Sequence, residues 1–391
     1  MSLLPHNVRK NRYTNVVSTD SKRVLLSRGG QAEERASAQG DTSSSDSASA
    51  IGVESSPDEA YLYDLEEDDE GKEDETYVNA SWLPGVDAGT HQPSDHAYIS
   101  TQAPLPSTMD DFWFMAWEQV VSAVIMIGSY TERGIPKIDR YVPSCVDPKC
   151  QNVTTLESQE AAAAAASSCA RQSGGAFPEE VPFSRLMFET GAGSIDEDGV
   201  LHTRTMNVRC TSETFYTDVG VLERCLSIWP NEVSEQNART VRHFHLRNWP
   251  DHDVPDTTKP LRMFIRRLYS VQQQVFSVDS APHPLIVHCS AGIGRTGVFC
   301  VSHQLMELFL EHRDDVSAAT EISICDIVDR FRSCRPGMVQ TGQQYQFCYQ
   351  VVADEARDMG IIPPITPPSK GRATETQHQP ASQWVPDCSI L

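Results

Sequence analysis

The stretch from Pro284 to Gly297 constrains the fold and the chemistry of this chain more than any other part of its sequence. The apolar run at 284–287 predicts a short buried strand, and apolar side chains then recur at helical spacing from Val298 onward. Between them lies the loop H-C-S-A-G-I-G-R-T-G, which begins at His288. A glycine-rich loop between a strand and a helix is typical of an anion site, because its N–H groups and the helix dipole favour negative charge.

The glycines of this loop also match G-x-G-x-x-G, the pattern of dinucleotide-binding folds. That fingerprint belongs to a βαβ unit, with a second strand and an acidic residue about 20 positions further on. Here the helix runs instead into the polar residues 312–315 and more helical sequence. The context therefore argues against a nucleotide, and we predict no cofactor.

Cys289 and Arg295 are the two ends of a C-x5-R motif within the loop. The convergent N–H groups, the helix N-terminus and the planar guanidinium form a cradle for phosphate oxygens. The same positive field lowers the pKa of a thiol, so Cys289 is predicted to be a thiolate that attacks phosphorus. Thr296 is placed to hydrogen-bond the sulfur and ease its later departure. A buried core cysteine is the alternative, and the complete loop argues against it.

This loop is one of several motifs that occur in the order seen in the classical, phosphotyrosine-specific protein tyrosine phosphatases, and residues 8–357 resemble that family and its non-receptor type. The further motifs are K-N-R-Y at 10–13, Y-V-N-A-S at 77–81, T-Q-A-P at 101–104, H-F-H at 243–245, W-P-D-H at 249–252 and R-P-G-M-V-Q-T at 335–341. The resemblance implies an α/β domain with a central twisted mixed sheet flanked by helices and the phosphate loop between a strand and a helix. It also implies metal-independent hydrolysis of phosphotyrosine in proteins through a cysteinyl-phosphate intermediate.

The resemblance implies roles for residues on other segments. Asp251 is expected to protonate the leaving phenol and then to activate water, on a flap that Trp249 stiffens. Tyr13 is expected to stack on the substrate ring. Gln340 is expected to position the attacking water, with Gln344 supporting it.

The remaining expected roles are binding and support. Asn15 would bond the peptide backbone of the substrate, Glu132 would orient Arg295, Lys137 would lie near the flap and His288 would hold the loop by hydrogen bonds. The loop residues expected to bind phosphate are Ser290, Ala291, Gly292, Ile293 and Gly294. Among the departures from the family pattern, Asp253 replaces a glycine and adds a negative charge beside the expected acid.

The chain divides into one predicted catalytic domain, residues 1–359, and a proline-containing disordered tail, residues 360–391. Two low-complexity inserts, at about 29–74 and 145–182, are expected to be unpacked. Residues 31–76 carry 16 acidic and two basic residues, which is most of the net charge of −22. Such a segment cannot bury enough apolar surface to offset the entropy of ordering, and the alanine run of the second insert has no apolar stripe.

The net charge and the cysteine content restrict the classes of partner and the cellular compartment that we expect for this chain. The negative net charge argues against nucleic acid, and 11 scattered cysteines favour reduced thiols in the cytoplasm and no metal site. No segment resembles a signal peptide or a membrane span. Cys388 begins a C-terminal C-a-a-X pattern, which is typical of prenylation and predicts weak membrane association. We expect a monomer that acts on phosphotyrosine-containing proteins.

Alternatives remain open at this point. The acidic insert contains Tyr61 and Tyr63, so it is either a solvated spacer or a pseudosubstrate that competes for the cleft. A catalytically inactive phosphotyrosine-binding module, a dual-specificity phosphatase and a sulfurtransferase share the loop. Asp251, together with Cys289 and Arg295, argues against the inactive binding module, and Tyr13 argues against the dual-specificity phosphatase. A sulfurtransferase would need neither Asp251 nor Gln340.

Overall fold

One large mixed sheet organises the chain, and the computed structural model describes residues 1–27, 77–86, 93–159, 176–250, 253–276, 283–311 and 323–363. The strands are β1 (Arg23–Leu25), β2 (Tyr77–Val86), β3 (Pro93–Thr101), β4 (Ala123–Ile127), β5 (Thr131–Glu132), β6 (Ile135–Pro136), β7 (Gln151–Thr154), β8 (Gly193–Ile195), β9 (Leu201–Thr203), β10 (Met206–Tyr216), β11 (Val221–Pro230), β12 (Arg239–Leu246) and β13 (Leu285–His288). The α-helices are α1 (Pro5–Val8), α2 (Met109–Glu118), α3 (Arg185–Glu189), α4 (Lys259–Phe276), α5 (Gly294–Glu311), α6 (Ile324–Cys334) and α7 (Gly342–Asp358).

The strand order of the sheet is β1-β2-β3-β13-β4-β12-β11-β10-β9-β8, with β7 paired to β10. The four central strands β3, β13, β4 and β12 run parallel, whereas β1–β2–β3 and β12 to β8 are antiparallel ribbons. The carboxyl ends of the parallel strands therefore meet at one edge, where α/β sheets bind their ligands. Those ends are Thr101, His288, Ile127 and Leu246.

Apolar layers cover both faces of the sheet. On β13, Leu285 and Val287 join the core beneath α4 to α7, whereas Ile286 joins the opposite core against α2. This alternation follows from the two-residue period of a strand, and a strand buried on both faces reads as a continuous apolar run. The predicted α/β architecture is confirmed, including the position of the glycine-rich loop between β13 and α5.

The expectation that all of 145–182 is unpacked is wrong. Residues 151–154 form β7, which pairs parallel to β10, and Cys145 is buried. The apolar pattern there is too short to predict a strand; the edge of β10 supplies the hydrogen bonds instead. Residues 160–175, which hold the alanine run, lie outside the described residues, as do Tyr61, Tyr63 and Cys388.

In the described ranges, no helix is both long enough and apolar enough to cross a membrane.

Candidate active site

The loop from Cys289 to Gly294 lies at the carboxyl edge of the parallel strands, directly before α5. Gly292 has φ +73°, and a Cβ there would lie 2.0 Å from the carbonyl oxygen of Thr101. Only glycine combines that backbone conformation with so close an approach. The close contact presses the loop against the end of β3 and curls it around the Cys289 sulfur, where the Gly292 N–H lies 3.3 Å from Sγ.

Cys289 is nearly fully buried, and burial by itself raises the pKa of a thiol. The Thr296 hydroxyl, the Arg295 charge and the N–H groups of Thr296 and Gly292 outweigh that effect, so the pKa of Cys289 lies below its usual value. Thr296 Oγ1 is buried and has no hydrogen-bond partner within bonding distance in the described ranges, so no other acceptor competes with the sulfur for its proton. These surroundings stabilise the thiolate of Cys289 relative to that of a free cysteine, and the role of Cys289 as the nucleophile stays a prediction.

Arg295 is held rigidly by Glu132. The two side chains form a buried fork, with Nη1 to Oε1 at 2.5 Å and Nη2 to Oε2 at 2.8 Å. The N–H of Ser129 donates to the same carboxylate at 3.2 Å. A bidentate pair of this kind fixes the plane of the guanidinium, so Glu132 determines the direction in which the Arg295 side chain points.

The segment that carries Glu132 is a tight hairpin, β5–β6, entered from the end of β4. Its turn residues Arg133 and Gly134 both have positive φ, at 51° and 77°, which is the two-residue turn that suits a hairpin. Gly128 has φ +117°, and a Cβ there would lie 2.1 Å from Arg295 Nη1. The sequence T-E-R-G gives the turn, but the packing of the arginine against Gly128 has no sequence signal.

His288 belongs to a buried chain of rings behind the loop. Its Nδ1 lies 3.0 Å from the carbonyl oxygen of Cys289, and its Nε2 lies 2.5 Å from the hydroxyl of Tyr141, which also lies 2.9 Å from His243 Nε2. A carbonyl only accepts, so Nδ1 of His288 carries the proton and Nε2 accepts from Tyr141. Burial lowers the pKa of His288 to about 4, and the ring is neutral at pH 7. Tyr141 itself carries no motif that would have revealed it.

Arg335 supports the loop from below. Its side chain is fully buried and donates to the carbonyl oxygens of Gly292 at 2.9 Å and Ala291 at 3.1 Å. It also donates to the hydroxyls of Ser18 and Ser81. Arg335 begins the R-P-G-M-V-Q-T motif, in which the sequence predicts a role only for Gln340, whereas the structure places Arg335 under the phosphate loop, where it turns the loop carbonyls away from the cradle.

Gln340 and Gln344 lie above Gly294 at the start of α7. A Cβ at Gly294 would lie 3.1 Å from Gln340 Oε1 and 3.0 Å from Gln344 Nε2. The Oε1 of Gln344 accepts the N–H of Gln340 at 2.9 Å, and Gln344 completes a capping box with Thr341. Val339, just before, has φ +55°, a strained conformation for a β-branched residue. Gln344 therefore acts on the Gln340 backbone.

The cleft in front of the sulfur has a volume of about 200 Å³. Tyr13 stands at its wall, with its hydroxyl 2.7 Å from Ser290 Oγ, which in turn donates to the carbonyl oxygen of Lys137 at 2.7 Å. Asn15 also lines the cleft. The remaining lining residues are Val16, Lys137, Cys289, Ala291, Ile293, Gly294, Arg295, Gln340 and Gln344.

The flap is described only at its two ends. Trp249 is buried, packs against Phe347 of α7 and donates from Nε1 to the carbonyl oxygen of Asp253 at 3.1 Å. The Asp253 carboxylate accepts the N–H of Val254 at 2.9 Å. The expected acid Asp251 lies outside the described residues. Across the described part of the chain, no three side chains of the types that bind metals converge on one point.

Comparison with known proteins identifies the family. The family model described as protein-tyrosine phosphatase matches residues 7–168 and 195–354. The chain belongs to the protein-tyrosine phosphatase family.

Individual relatives agree with this assignment. The chain is 28% identical over 294 residues to tyrosine-protein phosphatase non-receptor type 9 of Rattus norvegicus, a match that covers 73% of this chain and 38% of the relative. It is 29% identical over 353 residues to protein-tyrosine-phosphatase PTP1 of Arabidopsis thaliana, covering 90% of this chain and 72% of the relative. The crystal structure of the catalytic domain of human protein tyrosine phosphatase non-receptor type 18 superimposes with a TM-score of 0.57 at 25% identity, covering 90% of this chain and 86% of that one. The chain thus spans well under half the length of the rat phosphatase and most of the plant protein.

Proposed function

We propose that this protein hydrolyses phosphotyrosine in proteins, through a cysteinyl-phosphate intermediate and without metal. The observation that carries the proposal is the Cys289 sulfur, with a lowered pKa, in a loop whose arginine is fixed by a bidentate carboxylate. Family membership supports the same reaction.

In the first step, the Cys289 thiolate attacks phosphorus. The S–P bond forms as the P–O bond to the phenol breaks, and Asp251 gives its proton to the leaving phenolate oxygen. The fork of Arg295 and the loop N–H groups bind the three non-bridging oxygens, where negative charge is concentrated in the transition state.

In the second step, water attacks phosphorus on the intermediate. The O–P bond forms as the S–P bond breaks, the water proton goes to the Asp251 carboxylate, and the leaving thiolate is stabilised by the Thr296 hydroxyl. The Gln340 side chain positions that water, and Gln344 keeps the Gln340 backbone in place.

The cleft selects the aromatic ester. Tyr13 is fixed at the wall by its bond to Ser290, where its ring can pack against the phenyl ring of phosphotyrosine, whereas phosphoserine has no ring to make that contact. Asn15 at the entrance is placed to bond the peptide backbone of the substrate. Cytoplasmic action, and prenylation of Cys388, remain predictions from sequence.

Phosphate release from matched phosphotyrosine, phosphoserine and phosphothreonine peptides, in EDTA, tests the proposal. We expect release from the phosphotyrosine peptide alone, abolished in Cys289→Ser. Release from all three peptides would indicate a dual-specificity enzyme, and retained peptide binding without turnover would indicate a binding module. Turnover of thiosulfate would favour a sulfurtransferase.

A further inference from the structure

Glu180 is a buried carboxylate in a stretch that the family model leaves unmatched, residues 169–194. Its side chain is only 8% exposed, although it follows closely on the low-complexity residues 160–175. Burying a carboxylate is costly unless cations and hydrogen-bond donors surround it. Its partners therefore indicate what holds this stretch in place.

Three side chains from three separate segments of the chain converge on Glu180. Arg247 Nη1 lies 2.7 Å from Oε1, Arg224 Nη2 lies 3.1 Å from the same oxygen, and the hydroxyl of Tyr130 donates to Oε2 at 2.9 Å. Burial alone would raise the pKa of Glu180, but the charges of Arg224 and Arg247 and the Tyr130 bond lower it below its usual value. The group is ionised and fully engaged.

The backbone on either side of Glu180 is also held. Arg247 Nη2 donates to the carbonyl oxygen of Glu179 at 3.2 Å, and Arg140 Nη1 donates to that of Val181 at 2.8 Å. The guanidinium of Arg140 also stacks on the ring of Phe183, 4.6 Å from its centroid. Glu180 is thus presented by an anchored segment, which limits how far its carboxylate can move.

One arm of this cluster, the path of contacts through Tyr130, leads to Arg295. Tyr130 lies two positions before Glu132, and its carbonyl oxygen accepts the N–H groups of Lys137 at 2.8 Å and Ile138 at 3.2 Å. These bonds close the base of the β5–β6 hairpin, and Glu132 in that hairpin holds Arg295. A fixed Tyr130 ring therefore fixes the hairpin that aims the arginine.

The other arm, the path of contacts through Arg247, leads to the chain just before the expected flap. Arg247 lies two positions before Trp249, its N–H donates to the carbonyl oxygen of Gly220 at 3.0 Å, and its carbonyl oxygen accepts the hydroxyl of Ser129 at 3.3 Å. The backbone of Arg247 therefore joins the chain just before the expected flap to Ser129, in the loop before the hairpin, and Glu180 holds the side chain of the same arginine.

We infer that Glu180 is a positioning residue for phosphoryl transfer, which aims Arg295 through Tyr130 and fixes, through Arg247, the backbone that leads to Trp249, where the expected flap begins. This inference rests on the proposed function. The stretch outside the family match thereby completes the support of two catalytic groups at once.

Glu180→Gln tests it, because the amide keeps the size and removes the charge. A flap that is set poorly delivers the proton poorly, so kcat for a phosphotyrosine peptide falls about tenfold and kcat for p-nitrophenyl phosphate, whose phenol is more acidic, falls less. Weaker aiming of Arg295 raises the inhibition constant of inorganic vanadate several-fold. Glu189→Gln, an exposed carboxylate on α3 that pairs with Arg185, is the matched control and leaves all three values unchanged.

Two further variants separate the arms. Tyr130→Phe deletes one hydrogen bond, and it is expected to weaken vanadate binding while the ratio of the two kcat values stays as in the wild type. Arg247→Met is expected to change that ratio and to leave vanadate binding nearly unaltered. Thermal unfolding of each variant reports whether the fold is intact.

A lower melting temperature in Glu180→Gln with unchanged vanadate binding and an unchanged kcat ratio would overturn the inference, since the cluster would then be structural only. Asp251→Asn separates this failure from failure of the proposed function. If Asp251→Asn leaves the kcat ratio at the wild-type value, the general-acid assignment is wrong. Vanadate affinity, measured by calorimetry without turnover, then still decides whether Glu180 aims Arg295.

Discussion

At the scale of single residues, the site depends on the balance of forces on one sulfur. Burial opposes the Cys289 thiolate, whereas the Thr296 hydroxyl, the Arg295 charge and two N–H groups favour it, and the favourable contributions prevail. Thr296 is the one among these whose side chain can be removed without disturbing the phosphate fork. It is therefore the clearest point at which to test how the thiolate is stabilised.

Replacing Thr296 by Ala is expected to raise the pKa of Cys289 and to lower kcat about tenfold, since a hydrogen bond to a charged group contributes about 1.5 kcal/mol. The rate of iodoacetamide alkylation as a function of pH measures the pKa. Thr296→Ser keeps the hydroxyl and should restore both values. An alkylation profile in Thr296→Ala identical to that of the wild type would contradict this role.

At the scale of elements, the phosphate loop is shaped by segments distant from it in sequence. The Arg335 guanidinium, from the end of α6, holds two of its carbonyls, and Thr101 at the end of β3 limits the space at Gly292. The loop therefore has its shape before substrate arrives, because its carbonyl and N–H groups already face opposite ways. Preorganisation of this kind costs no rearrangement in the transition state.

Arg335→Lys tests this support, since lysine keeps the charge and loses the planar fork that reaches both carbonyls. We expect KM for a phosphotyrosine peptide to rise about tenfold as the loop N–H groups lose their alignment. The control is Arg185→Lys, an 89% exposed arginine on α3, which should leave KM as it is. Equal KM values for Arg335→Lys and the wild type would show that the loop holds its shape without this residue.

The local pattern of the chain predicts the elements better than it predicts their contacts. The strand–loop–helix at Cys289 follows from an apolar run, glycines and a helical repeat, all of which lie within a few residues. The position of Arg335 under the loop and of Tyr141 behind His288 depends on which strands become neighbours, which no local pattern specifies. The same holds for β7, whose pairing depends on an edge offered by β10.

At the scale of the whole molecule, three of the four histidines that are buried among the described residues make folding sensitive to acid. Burial is the largest cause of the pKa shift in each of these rings. It lowers the pKa of His288 to about 4, that of His245 to about 3 and that of His243 well below its usual value. In the unfolded chain they titrate near 6.5. Above that pH both states are neutral; below it the unfolded state binds more protons, so the stabilisation is lost as the pH falls.

The free energy of unfolding is therefore expected to decrease between pH 6.5 and about 4, by as much as about 1.4 kcal/mol per pH unit for each histidine. Urea unfolding at a series of pH values measures the slope. In His243→Gln the slope should be smaller by about one third, because one of the three groups no longer titrates. A free energy that stays constant from pH 7 to 5 would contradict the neutral, buried state of these rings.

The position of β13 between β3 and β4 has a consequence for how the chain could be divided. Both neighbours of β13, and the Glu132 partner of Arg295, precede residues 160–175, whereas the nucleophile and the arginine follow them. Two fragments made by dividing the chain within residues 160–175 would each lack half of the site. The strand that leads to Cys289, β13, would have to insert between β3 and β4 of the other fragment. Phosphatase turnover would then serve as a complementation signal, proportional to the fraction of fragments that have found each other.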